Sequence, residues 1–330
     1  MSKFADAANT SHTLSLAAME EASRLGQRTA DIDHLLLALV LSEQTAGQVL
    51  RSFGIDLAGA RDAVAAQHAE HLAAVGVHAP APEPGGIVFH ETDGYTWSDR
   101  ALALIGRASG GDRRGDATAV LRELVAEPSG MIEATLVRLG TSPAAVTARL
   151  DEVERTSPHR PQRPIRPGEL SGSSEAFIPA APDAVWAVLA DPARMPGWEP
   201  SIGSVSNAPA AIRVGDTWAA HARTERPDGK PIRVKPAFID QVVELAVASD
   251  PHLIEWRFSY PDAPRANARR LRIQLEPAAG GTQLRIALAW ERHPDRARRP
   301  LLGLLMRPVV RVVLWLQLSQ LGSGISRVFR

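Results

Sequence analysis

Three segments near the end of this 330-residue chain alternate apolar and polar residues with a period of two. Ile254, Trp256, Phe258 and Tyr260 stand against Glu255 and Arg257; Leu271, Ile273 and Leu275 against Arg270, Arg272 and Gln274; Leu284, Ile286, Leu288 and Trp290 complete the set. Successive side chains of a strand point to opposite faces, so the pattern demands a sheet that is dry on one side and wet on the other. The Pro277 to Gly281 turn joins the last two segments as a hairpin. Further strand signals lie at 202–206, 217–223 and 237–244, and a first one at 175–178 makes seven. That first strand breaks at Pro179. Pro182 then opens a helix with Val185, Trp186 and Leu189 on one face, and Asp191 followed by Pro192 reads as the N-cap and first residue of a second short helix that delivers Trp198.

Strand, short helix pair, tryptophan, strands alone and then one long apolar helix is an order that resembles the START-like superfamily, also called SRPBCC or polyketide cyclase/dehydrase-like. The resemblance covers roughly residues 173–330. It implies an α+β helix-grip fold, in which a curved seven-stranded antiparallel sheet grips a long C-terminal helix with an apolar cavity between them. The superfamily includes enzymes and simple carriers, so it specifies the fold better than the ligand. In the closing helix Leu301, Leu305, Val309, Val312 and Leu316 gather on one face, expected to be buried, while Arg307 and Arg311 form a wet stripe. Two arginines near its middle argue against a membrane span.

Aromatic residues are few, at 5% of the chain, and they concentrate in this half. Trp218, Phe238, Trp256, Phe258, Trp290 and Trp315 are expected to line the cavity wall and bind a small apolar ligand; ordinary core is the alternative for any one of them. No catalytic constellation is recognisable. His68 and His71 are at i, i+3 without a third ligand, His90 and Glu91 lack the second histidine of a zinc protease, and His252 and His293 lie on or beside strands. An acid–base role for His221 with Glu255 or Asp240 would need them convergent inside the cavity. Neither a metal nor a cofactor is expected.

The first half contains an internal repeat. Leu14 aligns with Leu104, Ala18 with Ala108, Leu39 and Val40 with Leu124 and Val125, and Gly54 with Gly140, where a helix end needs a left-handed residue. Asp56 and Ser142 follow as N-caps of the next helix. The segments Arg24-Leu25-Gly26, Asp33-His34-Leu35 and 50–57 make this all-α double repeat resemble the Clp amino-terminal domain over residues 1–153. The resemblance implies contact with a Clp protease component or client protein. Carried over residue by residue, the phosphoarginine-binding positions of that family fall on Ala8, Asp33, Ser98 and Thr118, of which Asp33 and Ser98 keep suitable chemistry for protein binding. No ATPase follows. Lys230 is preceded by Gly229 but followed by Pro231, so no P-loop forms.

Between the halves, residues 154–172 read as a linker, with Pro158, Pro161, Pro164 and Pro167 at the three-residue period of polyproline II and Arg160, Arg163 and Arg166 along one edge. The whole chain balances 37 Lys and Arg against 37 Asp and Glu. Bulk attraction to nucleic acid or an anionic membrane therefore has no basis. Absence of cysteine excludes disulfides, thiolate metal sites and thiol nucleophiles. The first residues lack the apolar run of a secretory signal, so a cytoplasmic location is expected. The expected function is non-enzymatic: an apolar ligand held in the C-terminal half while the N-terminal half contacts a protein. A cyclase- or aromatase-type enzyme, or a Clp protease adaptor without its own ATPase, are the alternatives.

Overall fold

The computed structural model describes residues 3–78, 83–87, 94–110, 115–156, 170–209, 212–226, 229–293 and 300–330. The chain divides into two compact units, Met1–Arg160 and Pro161–Arg330.

The first unit holds α1 (Lys3–Arg24), β1 (Thr29–Ala30), α2 (Ile32–Val40), α3 (Thr45–Ser52) and α4 (Leu57–Ala74). After β2 (Thr96–Trp97), helices α5 (Asp99–Ser109), α6 (Ala117–Val125), α7 (Met131–Arg138) and α8 (Pro143–Thr156) repeat the four-helix order. Gly54 and Gly140 sit at equivalent helix ends with φ of 78° and 80°, a region closed to most side chains. Asp56 and Ser142 accept from the backbone N–H three residues on, at 2.7 and 3.2 Å. Because α2 is apolar nearly all round, it is wholly buried, and one core runs through both repeats. Two further ties join them. Thr29 and Ala30 pair in parallel with Thr96 and Trp97, and Asp31, which caps α2, receives the Ser98 hydroxyl and the fork of Arg100.

The second unit opens with β3 (Leu170–Ile178), α9 (Pro182–Leu189) and α10 (Met195–Trp198), followed by β4 (Ile202–Ser206), β5 (Thr217–Ala222), β6 (Asp240–Ser249), β7 (Leu253–Ser259), β8 (Ala268–Ala278) and β9 (Gly281–Glu291). A 28-residue helix, α11 (Pro300–Arg327), closes it. All seven strands form one antiparallel sheet in the order β3-β9-β8-β7-β6-β5-β4. Asp191 caps a single 3₁₀ turn rather than an α-helix, accepting from Ala193 N at 2.9 Å.

Several boundaries differ from the sequence expectation. The first strand begins at Leu170, not at Glu175, because β9 supplies a partner for every residue back to Leu170 even though Ser171 to Ser174 carry no strand signal. Helix α8 likewise continues to Thr156, so regular structure enters both ends of the expected linker, whose proline-spaced core lies outside the described residues. His90 and Glu91 also lie outside them. Pro236 to Phe238 form a 3₁₀ turn, and the strand expected from 237 starts at Asp240; proline at the first turn position fixes that break.

The buried stripe of α11 also differs. Leu314, Leu318, Leu321 and Ile325 face the core, whereas Val312 and Leu316, expected inside, are 56% and 40% exposed. Close approach sets this rotation. Leu318 packs on Gly172, where an added Cβ would stand 3.1 Å from its Cδ1, and Gly322 abuts Ala176, so the helix lies along β3 and runs in the same direction. Its first turns therefore extend past the Leu170 end of the sheet. The side chains of Leu301, Leu305, Arg307, Val309 and Arg311 lie outside the described residues.

Candidate ligand-binding face

Register alone aligns a transverse row across the inner face of the sheet: Trp218, Val243, Phe258, Arg269 and Trp290 stand opposite one another in turn. The next row is Leu245, Trp256, Leu271, Leu288 and Gly172. Four of the first five are apolar. Arg269 is the exception, and it is 6% exposed.

Three contacts hold its guanidinium. Its Cζ stands over Phe258, 4.0 Å from the ring centroid. Its Nη1 stands 3.4 and 3.3 Å from the two carboxylate oxygens of Glu199, which follows α10 and is also buried. Glu199 Oε1 accepts from the Ser201 backbone N–H at 2.9 Å and hydroxyl at 2.7 Å, so the carboxylate is fixed before it meets the arginine. Among the described residues Nε and Nη2 of Arg269 find no hydrogen-bond partner, nor do the indole nitrogens of Trp198, Trp218 and Trp256. Burying such a donor unmet costs about 1–3 kcal/mol each. Gln241 Oε1, one row away on β6, is also unmet.

The six residues expected to line a cavity separate into two groups. Trp218, Trp256 and Phe258 are core side chains at 3% exposure or less, the two indoles meeting edge to face at 5.4 Å. Phe238, Trp290 and Trp315 are half-buried. Phe238 packs edge to face on half-buried Tyr260, centroids 4.8 Å apart. Phe238, Tyr260 and Trp290 all lie at the end of the sheet where β3 begins, the end beyond which α11 projects. Arg269, Gln241 and Glu199 are not among the residues expected from the sequence. The signal was present for two of them: Arg269 is two residues before Leu271 and Gln241 two before Val243, so alternation already places both on the dry face.

The acid–base pairing weighed for His221 does not converge on this face. His221 Nδ1 meets Asp240 at 2.6 Å across paired strands, with both side chains about half exposed. Glu255 lies on the opposite face, buried beneath Arg270 and Arg272.

In the first unit Asp33 is buried between His34 Nδ1 at 2.9 Å and His68 Nε2 at 2.7 Å. Burial alone would raise its pKa, but hydrogen bonds from both histidines outweigh this and hold it well below the usual carboxylate range. Ser98 caps α5 through Ala101 N and donates to Asp31 at 2.5 Å. His71 turns instead to Gln67, 3.0 Å away. Among the described residues no group of three or more His, Asp or Glu could hold a metal ion, and no helix is long and apolar enough to cross a membrane.

A seven-stranded antiparallel sheet with a long helix laid along its first strand defines the C-terminal unit as a helix-grip domain. Residues 170–321 match the family model described as polyketide cyclase / dehydrase and lipid transport, so this region carries a domain of that kind. No curated protein matches the chain. Among solved structures the chain is similar to protein CV1439 from Chromobacterium violaceum, at 18% identity over 47% of this chain and 96% of that one, with a TM-score of 0.32. It is similar also to the polyketide-cyclase-like protein Cgl2372 from Corynebacterium glutamicum, at 15% identity over 50% of this chain and 92% of that one, TM-score 0.32. Ara h 8.0201 matches at 13% identity over 48% of this chain and 99% of its own, TM-score 0.31.

Proposed function

We propose that the C-terminal unit is a binding domain for a small apolar ligand of lipid or polyketide-like character, held between the inner face of the sheet and α11. The observation that carries this reading is the half-buried aromatic end of the dry face. Phe238, Tyr260 and Trp290 are half-buried there, while Trp218 and Phe258, in the same row as Trp290, and Trp256, one row further in, are core. Apolar walls with few polar groups are how small-molecule sites are built. The ligand enters at that end and displaces whatever covers the inner aromatics. Six of the seven tryptophans belong to this unit, so titrating the full chain with undecane and with methyl decanoate should shift tryptophan emission. An emission spectrum unmoved by either probe would refute the reading.

A cyclase-type activity draws support from one feature, the buried Glu199 and Arg269 pair on an otherwise dry face. In that case the full chain would alter a poly-β-ketone thioester, and product analysis by mass spectrometry decides. For the N-terminal unit we propose contact with a Clp protease component or client protein, supported by the duplicated four-helix repeat. Asp33 and Ser98 act there through the more exposed ends of their networks, His68 and Arg100. Capture of a Clp subunit by the full chain, lost on Arg100→Ala, tests it.

A further inference from the structure

We infer that Arg269 is a specificity-determining residue which receives an uncharged carbonyl oxygen of the ligand. The inference rests on the apolar-ligand reading and narrows it.

The argument is one of charge and donors. An arginine side chain carries five N–H donors and no acceptor, and stays protonated. Among the described residues only Nη1 of Arg269 is engaged, by Glu199, and Cζ stands over the Phe258 ring. Nε and Nη2 are left over, shielded from solvent. What could satisfy them is limited by charge. Glu199 already neutralises the guanidinium, so a ligand carboxylate or phosphate would bring a net negative charge into a row whose other members are Trp218, Val243, Phe258 and Trp290, and an uncompensated buried charge is strongly disfavoured. A ketone or ester oxygen brings two acceptor lone pairs and no net charge. The unmet indole N–H groups of Trp218 and Trp256 have the same preference, since each can only donate.

Position supports the assignment. Arg269 pairs with Trp290 on β9 and Phe258 on β7, in the same row as half-buried Trp290. A ligand entering there with its apolar body against the tryptophans sets a polar atom beside the guanidinium without leaving the dry face.

The test uses the full chain and four probes of matched length: undecane, methyl nonyl ketone, methyl decanoate and decanoate, titrated by tryptophan emission and calorimetry. The ketone and ester are expected to bind at least about tenfold more tightly than undecane, as a hydrogen bond to a charged donor implies, and decanoate no better than the ketone. The variant Glu199→Gln with Arg269→Met removes both charges together, so that no lone charge is left buried; in it the ketone and ester lose their advantage over undecane. Equal binding of ketone and undecane to the wild-type chain, tightest binding of decanoate, or survival of the preference in the double variant would each overturn the inference. Binding of none of the four would overturn the apolar-ligand reading itself. The wild-type comparison decides the matter even where the double variant does not fold.

Discussion

Substituting Gly324 by alanine sets two effects of known size against each other. In a helix interior alanine is about 1 kcal/mol better than glycine, so propensity alone predicts stabilisation. At Gly324 the added Cβ would meet the carbonyl oxygen of Trp198 well inside 3.0 Å, with the carbonyl carbon at 3.3 Å and Cα at 3.7 Å. The obstacle is backbone, and Trp198 is 1% exposed, so no side chain can rotate out of the way. Overpacking of this kind costs about 1–3 kcal/mol, and here the helix or α10 must move bodily, which favours the upper part of that range. The net expectation is a loss of about 1–2 kcal/mol from the C-terminal unit. Gly106→Ala is the matched control: the residue is exposed on α5, nothing lies within 4 Å of its Cβ position, and a gain of up to about 1 kcal/mol is expected in the N-terminal unit. Urea unfolding of the full chain separates the two, since tryptophan emission reports mainly the second unit. At typical slopes the Gly324→Ala midpoint should fall by about 0.5–1 M. A midpoint at or above the wild-type value would refute the claim that α11 is locked onto Trp198 by close backbone approach.

Two further outcomes can be checked. The hydrogen bond to Asp33 raises the His68 pKa above its ordinary 6.5, against the opposing effect of burial. A raised histidine contributes stability that is complete below the unfolded value and is lost as pH rises through the folded one. The N-terminal unit should therefore weaken on going from pH 6 to about pH 8, by no more than about 1 kcal/mol because His68 is half exposed; an unchanged pH profile in His68→Gln, followed by circular dichroism during urea unfolding, would contradict this. His221→Ala with Asp240→Asn should leave stability within about 0.5 kcal/mol and leave probe titrations unchanged, since both groups lie in solvent away from the dry face. Weakened binding would place that pair in the site after all.

Much of the dry face is legible in the sequence. Alternation assigns Trp256, Phe258 and Trp290 to it, and the same rule carried two residues back from Leu271 on β8 reaches Arg269. What obscured Arg269 was its type: arginine reads as solvated unless a buried partner is known, and Glu199 lies 70 residues away on a different element. Which aromatics are core and which stand at the open end could not be read at all, because burial depends on what covers a strand, not on the strand itself.

The sequence by itself determined the duplicated helical unit, with its left-handed glycines and N-caps, and the existence of a one-sided sheet, since backbone conformation and side-chain period are local properties. Tertiary structure decided the rest. Strand order, the extension of β3 to Leu170 and the rotation of α11 depend on groups far apart in the chain. The helix turns Leu314 and Leu318 inward, and Val312 outward, because Gly172 on β3 leaves room for the first two and the Trp198 carbonyl admits only a residue without Cβ, Gly324, and no periodicity within the helix records where those lie.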